Sequence, residues 1–322
     1  MAPNLIFGTA TFGMDPPSFQ DAASVRDLLT TLQSLNIKRL DTAARYPPLY
    51  PGQSESLIGE TAELSKGFEV DTKIYTDTAK DGSGDLSKEN MEKSVTESLQ
   101  RLKRDGGVNV LYAHRADPET PLEEQIQNFN EQIKQGHCKA WGVSNVPPAM
   151  LEKILQLCEQ NGWQKPSCYQ GPYNVITRGM KTKLLPILRA HGMAFNSFQP
   201  LAAGFLTGKL LHNQHAGTRF VDDNPIGKVV QKMFGSEELL VAMKKFDEGA
   251  RRHGLTPAEV AVRWLAHHSA LREEDGIILG ASRNEQIVET VGFIRKGRLE
   301  DEVVRLAEEA WEGVRGVRGE IM

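Results

Sequence analysis

The stretch VNVLYAH, residues 108–114, is a short apolar run that ends in a polar side chain, and the same pattern recurs along the chain. The residues at seven such ends are Asp41, Lys73, His114, the pair Ser144-Asn145, Gln170, Phe198 and Gly280. In a parallel barrel of strands and helices, the carboxyl ends of the strands converge on one mouth, where active sites are built. The pattern therefore predicts a closed (β/α)8 barrel, in the α/β class, and indicates an enzyme.

Strand-like runs alternate with helical stretches throughout, which is typical of βα units around a parallel sheet. Eight strands are enough to close a barrel. The predicted strands are Leu5–Gly8, Lys38–Asp41, Phe68–Lys73, Val108–Ala113, Ala140–Ser144, Ser167–Gln170, Met193–Phe198 and Gly276–Leu279.

Two helix starts are signalled by a capping Thr followed by Pro and Glu, in Thr120–Glu123 and in Thr256–Glu259. The seventh connection is too long for one helix. We therefore predict a long mouth loop at about residues 199–235, then an extra helix over Ser236–His253 and a further helix over Pro257–His267. Apolar residues at helical spacing predict a C-terminal helix over Glu300–Val314, docked outside the barrel. No linker or repeat divides the sequence, so residues 1–322 are expected to form a single domain.

The charge balance argues against two classes of partner. The chain has 38 basic and 42 acidic side chains, a net charge of −4, so it has no positive excess to neutralise nucleic acid or an anionic membrane. No run of eighteen apolar residues is present, and the first residues lack a secretory signal pattern, so a cytoplasmic location is expected. The expected partner is a small-molecule substrate, and a homodimer is left open.

No metal site is predicted. The three cysteines are an odd number without CxxC spacing, which favours neither a disulfide framework nor a zinc site. His267 and His268 are adjacent on a predicted helix, so their side chains point in different directions.

Barrel geometry would bring Asp41, Tyr46, Lys73 and His114 together, because they follow the second, third and fourth strands. Each residue alone could be a cap, a surface charge or a core side chain. Together they suggest chemistry, because an Asp can hold a Lys ammonium that lowers the pKa of a neighbouring phenol. Tyr46 would then be a proton donor at neutral pH, and a neutral His114 could orient a substrate carbonyl.

Eight sequence blocks resemble the aldo-keto reductases, and most closely the aflatoxin aldehyde reductase branch. The blocks are DTAARY (41–46), GQSESLIGE (52–60), DTKIY (71–75), LYAHRAD (111–117), WGVSN (141–145), YQGPYN (169–174), PLAAGFLTGK (200–209) and ILGASRNEQIVE (278–289). The resemblance implies an (α/β)8 barrel that binds NADPH without a Rossmann fold and reduces aldehydes, ketones or dicarbonyls. It also implies that Tyr46 is the general acid, that Lys73 and Asp41 tune it, and that His114 orients the carbonyl.

The same resemblance implies a cofactor site. Ser144, Asn145 and Gln170 match contacts to the nicotinamide carboxamide, and Phe198 stands where the family often has a stacking Tyr. Two further segments complete the implied cofactor site, a loop over the pyrophosphate and a segment that holds the adenosine and its 2′-phosphate. Their residues are Gln199, Leu201, Ala203, Gly204, Lys209, Arg219, Gly280, Ser282, Arg283, Gln286 and Glu289. Ala203 replaces a glycine that is more usual in this branch.

Substrate contacts are expected from the barrel mouth, at Phe12, Met14, Tyr50, His114 and Phe220. Members of the branch carry a Tyr and an Arg that hold a substrate carboxylate. The corresponding stretch here, PIGKVVQKMFGS (225–236), is shorter and has no arginine. We therefore expect neutral or aromatic carbonyl compounds to be better substrates than carboxylated aldehydes.

Two other functions stay open on the sequence. One is a barrel lyase in which Lys73 forms a Schiff base with a carbonyl substrate, although Ser144, Asn145 and Gln170 would then have no explanation. The other is a non-catalytic subunit that binds NADPH and senses redox state, against which the presence of both Tyr46 and Lys73 argues.

Overall fold

Eight parallel strands form a closed barrel in the computed structural model, which describes residues 2–14, 19–77, 79–212 and 225–320. Each strand pairs with the next along the chain and the eighth pairs with the first, so the predicted (β/α)8 architecture is confirmed. The strands are β1 (Asn4–Gly8), β2 (Arg39–Asp41), β3 (Glu69–Lys73), β4 (Val108–Ala113), β5 (Cys138–Ser144), β6 (Cys168–Pro172), β7 (Ala194–Phe198) and β8 (Gly276–Leu279). All eight predicted strands are present, with small differences at their ends.

Helices fill the connections and cover the outside of the barrel. In chain order they are α1 (Ala22–Ser34), α2 (Gln53–Glu60), α3 (Ala62–Ser65), α4 (Lys88–Leu102), α5 (Leu122–Lys134), α6 (Pro148–Asn161), α7 (Gly179–Lys183), α8 (Leu185–Ala190), the 3-10 helix η1 (Ala202–Thr207), α9 (Pro225–Phe234), α10 (Glu237–Arg252), α11 (Pro257–His267), α12 (Asn284–Arg295) and α13 (Asp301–Arg318). Within the described ranges, none of these helices is both long and apolar enough to cross a bilayer.

One of the two predicted helix caps is confirmed and the other is wrong. The Thr256 hydroxyl accepts a hydrogen bond from the Glu259 amide at 3.1 Å, as expected of an N-cap residue. Helix α5 instead begins after Pro121, without a side-chain cap. The Thr120 amide donates to the Asp117 carboxylate at 3.1 Å, so the turn before the helix is organised by that carboxylate and not by Thr120.

The connection after β7 contains more structure than the predicted loop at 199–235. It includes η1 and the helix α9, while the extra helix α10 and the helix α11 follow as expected. The Phe234 ring at the end of α9 stacks on Phe205 of η1, with centroids 5.4 Å apart. A short helix draws its stability from such tertiary packing, which the local sequence pattern does not show. The C-terminal helix α13 is confirmed, packs on α10 and extends past its predicted end.

A buried polar cluster fills the barrel beneath the mouth. The Tyr112 hydroxyl contacts the Cys168 sulfur at 3.0 Å and accepts a hydrogen bond from the Asn196 amide at 2.8 Å. The Tyr112 ring fits there because its neighbour on β5 is Gly142, where a Cβ atom would lie only 2.7 Å from the ring. Tyr112 also pairs in register with Lys73 on β3, whose ammonium lies 5.8 Å from the ring centroid. The cluster therefore forms the floor under Lys73.

Candidate active site

A buried ion pair lies at the carboxyl ends of β2 and β3. The Lys73 ammonium donates to both carboxylate oxygens of Asp41 at 2.8 Å and to the Thr42 carbonyl oxygen at 2.7 Å. The two side chains are only 1% and 5% exposed, so solvent screens the pair weakly. Burial opposes the charged form of Lys73, but Asp41 and Tyr46 outweigh it and raise the pKa of the ammonium. Lys73 is therefore a fixed positive charge.

Tyr46 lies beside this charge, with its ring centroid 5.0 Å from the Lys73 nitrogen. It stands in the connection between β2 and α2, where its carbonyl oxygen accepts a hydrogen bond from the Ser54 amide at 3.1 Å. Burial raises the pKa of the phenol, and the Lys73 ammonium only partly opposes that effect. The predicted net lowering of this pKa is therefore wrong in direction. The phenol keeps its proton at neutral pH, as a proton donor must.

His114 faces Tyr46 from the end of β4. The two rings meet edge to face, with centroids 5.5 Å apart and an interplanar angle of 87°. Burial, reinforced by the Lys73 charge, lowers the pKa of His114 to about 3, so the imidazole is neutral as expected. Its Nδ1 atom is buried without a hydrogen-bond partner in the described part of the chain. The ring thus has unused hydrogen-bonding capacity next to the phenol.

Gln170 joins the ion pair from β6. Its amide nitrogen donates to an Asp41 carboxylate oxygen at 2.8 Å, a contact between residues 129 positions apart that the sequence did not indicate. The amide oxygen remains as an acceptor that could receive a ligand N–H group. At the end of β5, the Asn145 amide donates to the Ser144 hydroxyl and to the His114 carbonyl oxygen, each at 3.0 Å. The predicted nicotinamide contacts therefore share one rim with the predicted catalytic residues.

The segment after Phe198 has an unusual backbone. Gln199, Ala202 and Ala203 have φ angles of 56°, 48° and 56°, and Gly204 follows with a φ of 100°. Successive left-handed residues turn peptide groups towards one side and are a recognised way to present amides to an anion. Leu201 and Lys209 flank this turn and are partly buried. Arg219 and Phe220, predicted to contact cofactor and substrate, lie outside the described residues.

The predicted adenosine segment forms the start of α12. Gly280 and Ser282 precede Arg283, the N-cap residue, whose side chain is exposed, as is that of Glu289. The Gln286 side-chain oxygen accepts hydrogen bonds from the Ser282 amide and hydroxyl at 2.8 and 2.9 Å, so Gln286 also organises the turn.

Sequence reasoning missed Asn284, the first residue of α12. Its side-chain oxygen is buried and has no hydrogen-bond partner in the ranges that the structure describes. It is an acceptor placed beside Arg283, within the segment expected to contact the adenosine. The sequence offered two signals for it, its position next to a helix start and its place within the block ILGASRNEQIVE (278–289).

The predicted substrate residues fall into different environments. Phe12, on the connection after β1, is fully buried, with Phe7 and Phe19 ring centroids at 6.2 and 5.7 Å, and its contact with a substrate stays a prediction. Met14 is 4% exposed. Tyr50 is 60% exposed on the connection that carries Tyr46.

Metal ligands do not gather anywhere in the described ranges, which contain no group of three or more His, Cys, Asp or Glu side chains suited to a metal ion. The three cysteines, Cys138, Cys158 and Cys168, are buried and unpaired. Burial raises the pKa of all three thiols, to about 12 for Cys138 and about 11 for Cys158. They are therefore inert thiols within the packing of the barrel.

Comparison with known proteins gives a consistent result. The model of the aldo/keto reductase family matches residues 4–312. An aldo-keto reductase of Pseudocercospora fijiensis is 33% identical over 293 residues, covering 89% of this chain and 97% of its own length. Aflatoxin B1 aldehyde reductase member 2 of Homo sapiens is 32% identical over 319 residues, covering 95% of this chain and 86% of its own length.

A third relative, the oxidoreductase sirO of Leptosphaeria maculans, is 31% identical over 325 residues, covering 98% of this chain and 95% of its own length. The family match extends from β1 into α13 and so includes every strand that supplies a residue to the mouth. The chain is therefore an oxidoreductase that belongs to the aldo/keto reductase family.

Proposed function

We propose that this chain uses NADPH to reduce aldehydes, ketones or dicarbonyl compounds to alcohols, as an alcohol dehydrogenase of the NADP-dependent type. The observation that carries the proposal is the buried Lys73 ammonium, which binds Asp41 and lies 5.0 Å from the Tyr46 ring centroid. The neutral His114 ring beside Tyr46 adds a second group that can hydrogen-bond a carbonyl oxygen. These are the parts that proton-coupled reduction of a carbonyl requires.

The residues present fit a nicotinamide cofactor. Ser144, Asn145 and Gln170 would hold the carboxamide, Phe198 would stack on the ring, and the left-handed turn at Ala203 would approach the pyrophosphate. At the adenosine end, the Asn284 oxygen is a buried acceptor without a hydrogen-bond partner in the described part of the chain, and Arg283 offers a guanidinium suited to a 2′-phosphate. Bound NADPH supplies the hydride that reduces the carbonyl carbon.

The chain's own residues supply the proton. As negative charge develops on the substrate oxygen, the Tyr46 O–H bond breaks and a new O–H bond forms on that oxygen, which leaves a phenolate. The Lys73 ammonium stabilises the phenolate, since it is a fixed charge in a site that solvent screens weakly. Asp41 holds Lys73 in place, and His114 directs the carbonyl oxygen towards Tyr46.

The contacts of Lys73 argue against the lyase alternative. A Schiff-base nucleophile must be a neutral amine, yet the Lys73 nitrogen donates three hydrogen bonds and its neighbours raise its pKa. Borohydride trapping should therefore leave no substrate attached to Lys73.

For the substrate, we propose neutral or aromatic carbonyl compounds. The stretch at 225–236 has no arginine to pair with a carboxylate, and the exposed Tyr50 offers an aromatic surface near the mouth. Lys228 and Lys232 are poorer partners for a carboxylate than a guanidinium, because an ammonium cannot form the same two-pronged contact. A cytoplasmic location and a homodimer remain predictions.

The decisive experiment compares wild type, Tyr46→Phe and Tyr75→Phe in NADPH oxidation with neutral, aromatic and carboxylated aldehydes. Tyr46→Phe should lose at least ~100-fold in turnover, because a positioned general acid contributes that much, while its affinity for NADPH stays unchanged. Tyr75, which is 40% exposed, is a matched control and should tolerate the change. Retention by Tyr46→Phe of more than about a tenth of wild-type turnover would remove Tyr46 as the proton donor.

The same panel tests the substrate class. Neutral aldehydes should show the higher kcat/KM. A carboxylated aldehyde favoured by more than about tenfold over a neutral one of equal length, or ~1.4 kcal/mol, would contradict the proposed preference.

A further inference from the structure

The last turn of the C-terminal helix reaches the end of the connection between β7 and α10. Arg318 is only 4% exposed. Its guanidinium donates to the Met233 carbonyl oxygen at 3.3 Å and to the Thr177 hydroxyl at 2.7 Å, and it lies 4.7 Å from the centroid of the Phe234 ring. One side chain thus links α13, the end of α9 and the connection after β6.

The contact continues to the segment proposed to bind the pyrophosphate. Phe234 is fully buried and stacks on Phe205 with an interplanar angle of 16°. Phe205 follows directly after the left-handed residues Ala202, Ala203 and Gly204. The path from Arg318 to this backbone therefore runs through two packed aromatic rings, without a solvent gap that would let the parts move independently.

The start of the same connection is held from the same side. The Asn174 amide donates to the Gln199 carbonyl oxygen at 2.9 Å. Four residues later, the Arg178 guanidinium donates to Glu308 and to the Ala307 carbonyl oxygen in α13, each at 2.7 Å, and stacks 4.0 Å from the Trp264 ring centroid. Residues 174–178 and α13 together thus hold both ends of the proposed cofactor loop.

We propose that Arg318 is a positioning residue for cofactor binding, which holds Phe234 against Phe205 and so fixes the backbone that follows β7. The effect on NADPH rests on the proposed function, whereas the mechanical link does not. A preorganised loop binds its ligand more tightly, because less ordering is needed when the ligand arrives. Loss of the link should weaken binding and leave proton transfer at Tyr46 unaffected.

The test compares Arg318→Met and Phe234→Leu with a matched control, Arg315→Met. Arg315 lies in the same helix and its side chain is 65% exposed. Its one ion pair in the described part of the chain is with Glu312. Both test variants should raise the Kd and KM for NADPH about 3- to 30-fold, the range for mutations that couple distant sites. Their kcat at saturating NADPH should stay within about twofold of wild type, since no transition-state contact is removed. Arg315→Met should match wild type throughout.

Hydrogen exchange separates this inference from the proposed function, because it needs no cofactor. Amides of η1 and α9 should exchange faster in Arg318→Met and Phe234→Leu than in wild type or Arg315→Met. Unchanged exchange would overturn the link, and faster exchange with unchanged NADPH affinity would overturn the positioning role. Phe234→Leu breaks the link but keeps the positive charge of Arg318. A loss of NADPH affinity in Arg318→Met but not in Phe234→Leu would therefore also overturn the positioning role. Wild-type protein that bound no NADPH would contradict the proposed function, while the exchange pattern would still decide the link.

Discussion

At the scale of single residues, burial shifts the pKa values of two titratable side chains of the active site in opposite directions. Burial raises the pKa of the Tyr46 phenol and lowers that of the His114 imidazole to about 3, so each favours its neutral form. Lys73 is the exception among these three groups, because Asp41 provides an opposite charge within hydrogen-bond distance. The permanent Lys73 cation therefore lies beside two neutral groups, which suits a site in which negative charge appears on the substrate during the reaction.

The state of His114 predicts how acid affects stability. Its pKa is about 3 in the folded chain and near 6.5 when unfolded, so only the unfolded state takes up the proton between these values. The stabilisation is complete above pH 6.5 and declines as the pH falls towards 3. His114→Gln cannot titrate. The free energy of unfolding of wild type should therefore fall relative to that of His114→Gln, by about 2 kcal/mol between pH 6.5 and 4.5.

Urea unfolding of both proteins across this pH range measures that difference. A difference between the two proteins that stays constant with pH would show that His114 binds a proton equally well in both states. The kinetic counterpart is a pH profile of kcat/KM without an ionisation near 6.5.

Single residues also show where reading the sequence succeeds. The placement of Asp41, Lys73 and His114 could be predicted because Asp41 and Lys73 end their strands and His114 follows one, and strand ends meet at one mouth. The hydrogen bond from Gln170 to Asp41 could not, since it joins β6 to β2 across the barrel and depends on rotamers that no local pattern encodes. The predicted direction of the Tyr46 pKa shift was wrong for a related reason. This pKa is the balance between burial, which raises it, and the opposing effects of the nearby Lys73 and Asp41 charges, and burial is a property of the whole fold.

At the scale of elements, the connection after β7 carries local strain. Ala203 has a φ of 56°, a conformation that costs an L-residue with a Cβ atom roughly 1–2 kcal/mol. Ala203→Gly should therefore raise the free energy of unfolding by about 0.5–1 kcal/mol, after the entropy cost of glycine is deducted. Ala149→Gly, in the right-handed first turn of α6, should lower it instead. Chemical denaturation of both variants checks the prediction, and a less stable Ala203→Gly would contradict it.

The close packing of β5 against the Tyr112 ring of β4 leads to a second prediction at this scale. A Cβ atom at Gly142 would lie 2.7 Å from the Tyr112 ring, so Gly142→Ala should displace the ring and lower the free energy of unfolding by about 1–3 kcal/mol. Because Tyr112 forms the floor under Lys73, turnover should fall as well. Gly162→Ala is a useful contrast, since a Cβ atom there meets no neighbour within 4 Å and only the positive φ of 66° opposes it. If Gly142→Ala had wild-type stability and turnover, the floor would not support the ion pair.

Elements were predicted well where their signals are local. The strands and the helices α10, α11 and α13 follow from apolar spacing, and the Thr256 cap follows from residues three positions apart. The sequence predicts a loop where α9 lies, because the surrounding residues are rich in glycine and charge and its packing partner Phe205 is distant in sequence. Thr120 failed as a cap because Asp117, an upstream carboxylate, binds the backbone there instead.

At the scale of the whole molecule, the proposed cofactor would touch segments from both halves of the chain, from Ser144 to Glu289. Because such a ligand binds only the folded barrel, it should raise the melting temperature of the entire chain. At a concentration of about 100 Kd the stabilisation is ~2.7 kcal/mol, which corresponds to roughly 4 °C for a chain of this size. Melting curves with NADPH and with NADH thus report cofactor choice without any substrate.

Arg283 is the residue we expect to set that choice. Its exposed side chain at the start of α12 can pair with a 2′-phosphate, which NADH lacks. Arg283→Ala should weaken NADPH binding by ~1.5–3 kcal/mol, the range for hydrogen bonds to a charged group. The rise in melting temperature that NADPH causes should mostly disappear in this variant, while the smaller rise caused by NADH should stay the same. Arg272→Ala is the matched control, because Arg272 is 59% exposed but precedes β8, at the opposite end of the barrel from the mouth. If Arg283→Ala lost equal affinity for NADPH and NADH, Arg283 would bind a part common to both dinucleotides. The preference for one of them would then have to come from another residue of the adenosine segment.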